Sequence, residues 1–330
     1  MAKPKKPTWP LLYPGAKKID VAALRKEVEA PWATPASSGP TVELIVGRLP
    51  DDPSGKTFRS LADACKAIPA GATGVIELRD NGPFFALAVA VADRHVILRA
   101  AAGYRPLLIW DVPRMLEQRR KLNRRDADAN SAPPIFLDVK HGNLTLQDLH
   151  IALQWPDAPS AGASVVHVED GDLTVSGCTF SVAGKPRDGM TLARLTGTHS
   201  DASRYRFTRC YCRGAGLSVL DADAPGARLL FEDCLLVGGD APLLRIRAGK
   251  ERRTQLSVVR STMICAKTFL ELGASTKGQS DPAFEWLGWD ALLCRKNPEI
   301  GGELLRLRDD ISARQMSWRA SNCLYAGWNT

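Results

Sequence analysis

His167, Glu169, Asp170 and Asp172 stand within one short stretch, and an imidazole among three carboxylates can pass a proton or hold the hydroxyls of a ligand. His167 alternates with apolar neighbours, so on a strand it points away from the interior, as does His150. These four residues are the candidate ligand-binding cluster, with a solvated turn as the plain alternative. The other histidines, His95, His141 and His199, complete no metal-ligand spacing such as HExxH. The eight cysteines include no CxxC pair and are too sparse for a disulfide scaffold, so a reducing, cytoplasmic setting is expected, with no metal and no other cofactor. Gly55-Lys56-Thr57, after the apolar run VELIVG, comes close to a phosphate-binding loop. That loop needs glycine at position 50, where Pro50 has no N–H to offer, so a loop leading into a helix is expected instead.

Whatever positions these groups must fit a chain of 330 residues, enough for two ordinary domains or one elongated repeat domain. Apolar residues make up 45%, charged residues 24%, and the mean hydropathy is −0.15, a composition that supports a real core. No apolar run approaches the length of a membrane span or of a signal sequence, so neither is expected. Lys and Arg number 44 against 36 acidic residues, a net charge of +8, with the excess gathered at Lys3, Lys5, Lys6, Lys17 and Lys18 and from Arg114 to Arg125. Residues 1–40 read as a basic, Pro-rich linker or tail. The segment at about 113–133 reads as a basic helical insertion followed by a loop. It lacks interleaved aromatics, so nucleic acid is not an expected partner.

The chain beyond residue 41 repeats itself. NLTLQDLHI, DLTVSGCTF, RYRFTRCYC, RLLFEDCLL and QLSVVRSTM align without gaps from Asn143, Asp172, Arg204, Arg228 and Gln255. Their first apolar positions, 144, 173, 205, 229 and 256, lie 24 to 32 residues apart and average 28, the period of a solenoid. Apolar residues at offsets of zero, two, five and seven describe a strand, a turn and a second strand, all facing one interior. Leu149, Cys178, Cys210, Cys234, Ser261 and Cys323 share the fifth-offset position and are expected to stack as an interior ladder of limited volume. Between Met263 and Trp318 there is room for one more coil, but the pattern becomes irregular. Trp286, Trp289 and Trp318 there read as core packing or as a platform for sugar rings.

These repeats resemble right-handed parallel β-helix proteins of the pectin-lyase-like superfamily, over residues 41–330. The fold class that follows is all-β: a right-handed parallel β-helix with an N-terminal capping α-helix. TFRSLADACKAIPAGATGVIELRDNGPF supplies the cap, a helix at about 57–69. Phe58, Leu61, Ala62, Cys65 and Ile68 share one face, and Ser60 with Asp63 forms a capping box. The resemblance also implies chemistries to look for, and none is intact. RIRAGK from Arg245 is a faint match to one polygalacturonase-like motif, LQDLHI replaces the esterase-like aspartate context, and the calcium-binding candidates Asp221, Asp223 and Asp233 fall in different loops or turns. The expected function is a non-enzymatic binding or scaffold module for a polysaccharide or a protein partner, as a monomer or within a larger bacterial multidomain chain. The alternative is a polysaccharide lyase, with calcium, or a glycoside hydrolase acting on acidic polysaccharide.

Overall fold

The computed structural model describes residues 22–23, 26, 39–48, 55–122, 133–155, 162–184, 189–197, 203–275, 283–297, 299, 301–308 and 316–328. The 1–40 linker, apart from a few residues, most of the basic segment beyond Leu122, residues 49–54 and His199 lie outside them.

Alternating apolar residues at a 28-residue period produce three parallel sheets of 11, 9 and 8 strands that wind as a right-handed β-helix. Each complete coil gives one strand to each sheet, and the extra strands of the two larger sheets lie at the ends. Leu173–Ser176, Thr179–Ala183 and Met190–Thr196 form one such coil, and Arg204–Thr208 then lies on Leu173–Ser176 to begin the next. In the first sheet, Leu144, Leu173, Tyr205, Leu229, Leu256, Trp286 and Trp318 are successive partners, all of one inward column. Like side chains then stack on like: Phe207 on Phe231 at 5.0 Å between ring centres, and Trp286 on Trp318 at 4.6 Å.

Trp286 belongs to a coil that the apolar pattern concealed. The irregularity read between Met263 and Trp318 is a regular coil, with strands Phe284–Trp289, Leu292–Arg295 and Glu303–Leu307. Its second inward position is Gly288 and its ladder position is Ala291, too small to register as hydrophobic landmarks. Gly288 is required sterically, since a Cβ there would lie 2.8 Å from Trp286 Nε1 and 3.0 Å from Cys323 Sγ. Trp289 is not interior. It packs on the outer side of the first sheet against Leu230, Val259 and Leu287.

The ladder has a chemical logic beyond volume. Asp148, Gly177, Arg209, Asp233, Arg260, Asp290 and Asn322 each precede a ladder residue and all have left-handed φ, between 43° and 64°. At this bend, the ladder side chain donates to the carbonyl two residues earlier: Cys178 to Ser176, Cys210 to Thr208, Cys234 to Glu232, Ser261 to Val259 and Cys323 to Ser321. A small side chain carrying a thiol or hydroxyl therefore serves both the packing and an interior carbonyl. Burial pushes the Cys178 thiol up to about 12, and the Cys65 and Cys265 thiols likewise to about 12. Such thiols are poor nucleophiles and poor metal ligands. All eight cysteines are free, and six of them are buried. A water-soluble alkylating reagent should label Cys294 first and Cys323 more slowly, leaving the other six unmodified until the protein is unfolded. Native-state mass spectrometry of the labelled chain reads this directly, and modification of Cys178 or Cys212 without unfolding would contradict the interior assignment.

The capping helix is shorter than the sequence pattern predicts. It spans Leu61–Ala67, while Phe58 lies in the two-residue strand Thr57–Phe58 and Ile68 is the C-cap. Phe58 pairs with Val46 and so is drawn into the first sheet, and the Ile68-Pro69 junction stops the helix. Ser60 accepts a hydrogen bond from the Asp63 N–H, the N-cap half of the expected capping box. Leu61, Ala64 and Cys65 complete the core at this end. Ile68 enters the interior where the inward column of Val42 and Val96 has Gly74, whose Cβ would come within 2.0 Å of Ile68 Cδ1. A second helix, Val112–Leu122, follows the strand Leu107–Trp110.

Candidate functional site

Outward positions of the third sheet form two columns of mostly charged side chains. In the first, Asp138, His167, Arg194, Asp221, Arg245, Glu271 and Arg306 are successive neighbours across seven strands. In the second, two residues further along each strand, the order is Lys140, Glu169, Thr196, Asp223, Arg247 and Gly273. Strands of the type IxLDVK or LxVLDAD place their charged residues outward by alternation, and the flanking valines and leucines fill the core.

From Arg194 onward the first column alternates in sign, and the pairs interlock. Asp221 lies 3.9 Å from Arg194 and 3.2 Å from Arg247, and Glu271 lies 3.8 Å from Arg245, 3.6 Å from Arg306 and 3.0 Å from Arg308. The two signs differ in depth. The Glu271 side chain is 9% exposed, against 41% for Arg306 and 54% for Arg308. Asp221 and Glu271, at 10% and 9%, are the more buried partners throughout, beneath Arg194 at 23% and Arg245 at 32% as well as Arg306. Strands stack about 4.8 Å apart, so Arg194, Arg245 and Arg306, each two coils apart, recur about every 9.6 Å along the helix axis.

At the N-terminal end of this strip a relay crosses three coils. Asp138 Oδ1 is 2.7 Å from His167 Nδ1, and His167 Nε2 is 3.1 Å from Thr196 Oγ1. The carboxylate fixes the ring so that Nε2 can take a proton from the Thr196 hydroxyl, an arrangement of orienting carboxylate, base and hydroxyl nucleophile of the kind used in acyl transfer. Beside it, Lys140 Nζ is 3.0 Å from Glu169 Oε2, and this contact raises the lysine pKa.

The four residues singled out in the sequence do not act as one cluster. His167 and Glu169 share the outer face of the third sheet, but with different partners. Asp170 has left the sheet for the following turn, where φ is 51° and His141 Nδ1 stands 3.9 Å away. Asp172 is half-buried and accepts the Arg204 backbone N–H at 2.8 Å. Burial raises its pKa while that hydrogen bond lowers it. Its role is to join successive coils. Asp221 and Asp223, read as members of separate loops or turns, instead occupy one strand and one face and share Arg247, because LSVLDAD continues as a strand through Asp223. Asp233 sits in the left-handed column and pairs with Arg260 at 2.7 Å, and that contact lowers its pKa. Among the described residues no three His, Cys, Asp or Glu side chains gather as a metal site, and no helix is long and apolar enough to cross a membrane. No protein-family model, curated protein or solved structure matches the chain.

Proposed function

We propose that the protein is a binding module for an extended anionic polymer, an acidic polysaccharide, lying along the third sheet. One observation carries this reading: guanidinium groups recur every second coil above a recessed row of carboxylates. Fixed cations at about 9.6 Å intervals suit a polymer with one charge per two-unit repeat, and the carboxylates between them repel a polymer charged at every unit. Arginine is the better residue here because its planar fork takes a carboxylate or sulfate bidentately. The same reading places the chain with the pectin-lyase-like β-helices, as a module of a multidomain protein.

The test is calorimetric titration with hyaluronate, polygalacturonate and neutral dextran, using the wild type and the triple variant Arg194→Gln, Arg245→Gln, Arg306→Gln. Hyaluronate carries its charge on alternate sugars. It should bind best, weaken steeply with added salt, and lose about a hundredfold in affinity in the triple variant. Equal binding of dextran, or an unchanged affinity in a correctly folded triple variant, would overturn the proposal.

A second reading, an enzyme acting on the same polymer, is favoured by the Asp138–His167–Thr196 relay, which suits acyl-ester hydrolysis better than the paired carboxyl groups of glycoside hydrolysis. Product release in the same incubations, abolished by His167→Ala and by Thr196→Val, would replace the binding reading. His167→Ala without loss of product would remove the relay from consideration.

A further inference from the structure

A cavity of about 470 Å³ opens at the capped end of the solenoid, lined by none of the charged residues of the strip. Its wall is apolar, with Leu61 of the capping helix and Leu108 of the second sheet at the back and Phe85 at the rim. Three guanidinium-bearing residues from three separate segments line it: Arg48 after the first strand, Arg59 before the capping helix and Arg114 on the helix Val112–Leu122. No carboxylate lines it among the described residues. Arg48 is held in place by Asp80 at 3.4 Å and by the Gly82 carbonyl. The Arg114 backbone N–H donates to Asp111 Oδ1 at 3.1 Å, and its guanidinium acts electrostatically on Glu117 of the same helix. Phe85 is 64% exposed, the most exposed large apolar side chain of the described residues, and it stands at this rim.

From this geometry we propose a second binding site, for a small amphipathic anion: a medium-chain acyl or aryl carboxylate. The volume lies within the range of small-ligand pockets, and an apolar wall with a few convergent polar groups is their usual form. A sugar would leave its hydroxyls against Leu61 and Leu108 without partners, whereas an acyl chain or ring satisfies that wall. The carboxylate then meets Arg114, with Arg48, itself held by Asp80, and Arg59 lining the same cavity. Phe85 closes over the apolar body and loses its exposure to water. This site is independent of the polymer-binding reading: its lining takes only Val89 from the third sheet and none of the charged residues of the strip.

Decanoate is the probe, titrated calorimetrically into the full chain, with decanol as the uncharged comparison. Saturable binding of one decanoate per chain is expected, with decanol at least tenfold weaker. Arg114→Glu should weaken decanoate about tenfold or more and leave decanol unaffected, and Phe85→Asp should weaken both. Both positions are exposed, so melting temperatures and far-ultraviolet circular dichroism should match the wild type and separate lost binding from lost fold. No saturable binding to the wild type, equal affinity for decanoate and decanol, or decanoate binding indifferent to Arg114→Glu would each overturn the proposal.

Discussion

Replacing Cys210 by Asp should abolish folding, giving a chain that is insoluble or has no cooperative thermal transition. Cys210 is 3% exposed and stands between Cys178 and Cys234 in the ladder, with Thr208 and Val175 carbonyl oxygens beside its sulfur. A carboxylate there would face carbonyls, the wrong partners for it, and an unpaired buried charge costs at least several kcal/mol. That is comparable to the 5 to 15 kcal/mol by which a typical domain is stable at all. Cys210→Ser should be close to neutral, because Ser261 already fills the equivalent position and donates to Val259 O at 2.7 Å. Cys210→Ala removes the donor and should cost about 1 kcal/mol. Soluble yield and denaturant midpoints rank the three variants. A soluble Cys210→Asp protein with the wild-type midpoint would refute the interior position.

The second large effect is expected at Trp286, which has no exposed surface, stacks on Trp318 and meets the edge of Phe269 at 5.5 Å. Truncation to Ala should destabilise the protein by about 3 to 5 kcal/mol, since so large a void cannot be refilled by rigid neighbouring coils. Trp289→Ala should cost much less, because that ring lies on the outer face. Urea unfolding followed by circular dichroism gives both values. Similar losses for the two would mean that the columns have been misassigned.

The fold was legible in the sequence because an interior shared by stacked coils forces the same residue size to recur at the same offset. Leu144, Leu173, Tyr205, Leu229 and Leu256 declare the first sheet without any other information. Room for the coil of Trp286 was visible but its register was not, because glycine and alanine replaced the expected landmarks, and the donor role of the ladder escaped because it depends on a carbonyl turned inward by a left-handed bend. The charged strip was partly visible. PIFLDVKHG, SVVHVEDG, LSVLDADAPG, PLLRIRAG and TFLELGAS carry Asp138, His167, Asp221, Arg245 and Glu271 at their middles, but proximity along the chain drew attention to Glu169, Asp170 and Asp172 instead. In a solenoid the neighbours of His167 are about 28 residues away. Asp138 and Thr196 each stand 29 residues from it.

The alternation of sign along the third sheet also bears on how the chain reaches this state. A solenoid with near-identical coils can skip one during assembly and still bury an apolar interior, so hydrophobic matching alone does not enforce coil order. Skipping one coil in the charged column would set Arg194 against Arg245, Asp221 against Glu271, or Arg245 against Arg306. Each such error stacks like charges, one of them the recessed carboxylates Asp221 and Glu271. Over these coils the column therefore works as a parity check, since omitting the coil of Asp221, Arg245 or Glu271 opposes like charges where the intact order pairs opposite ones.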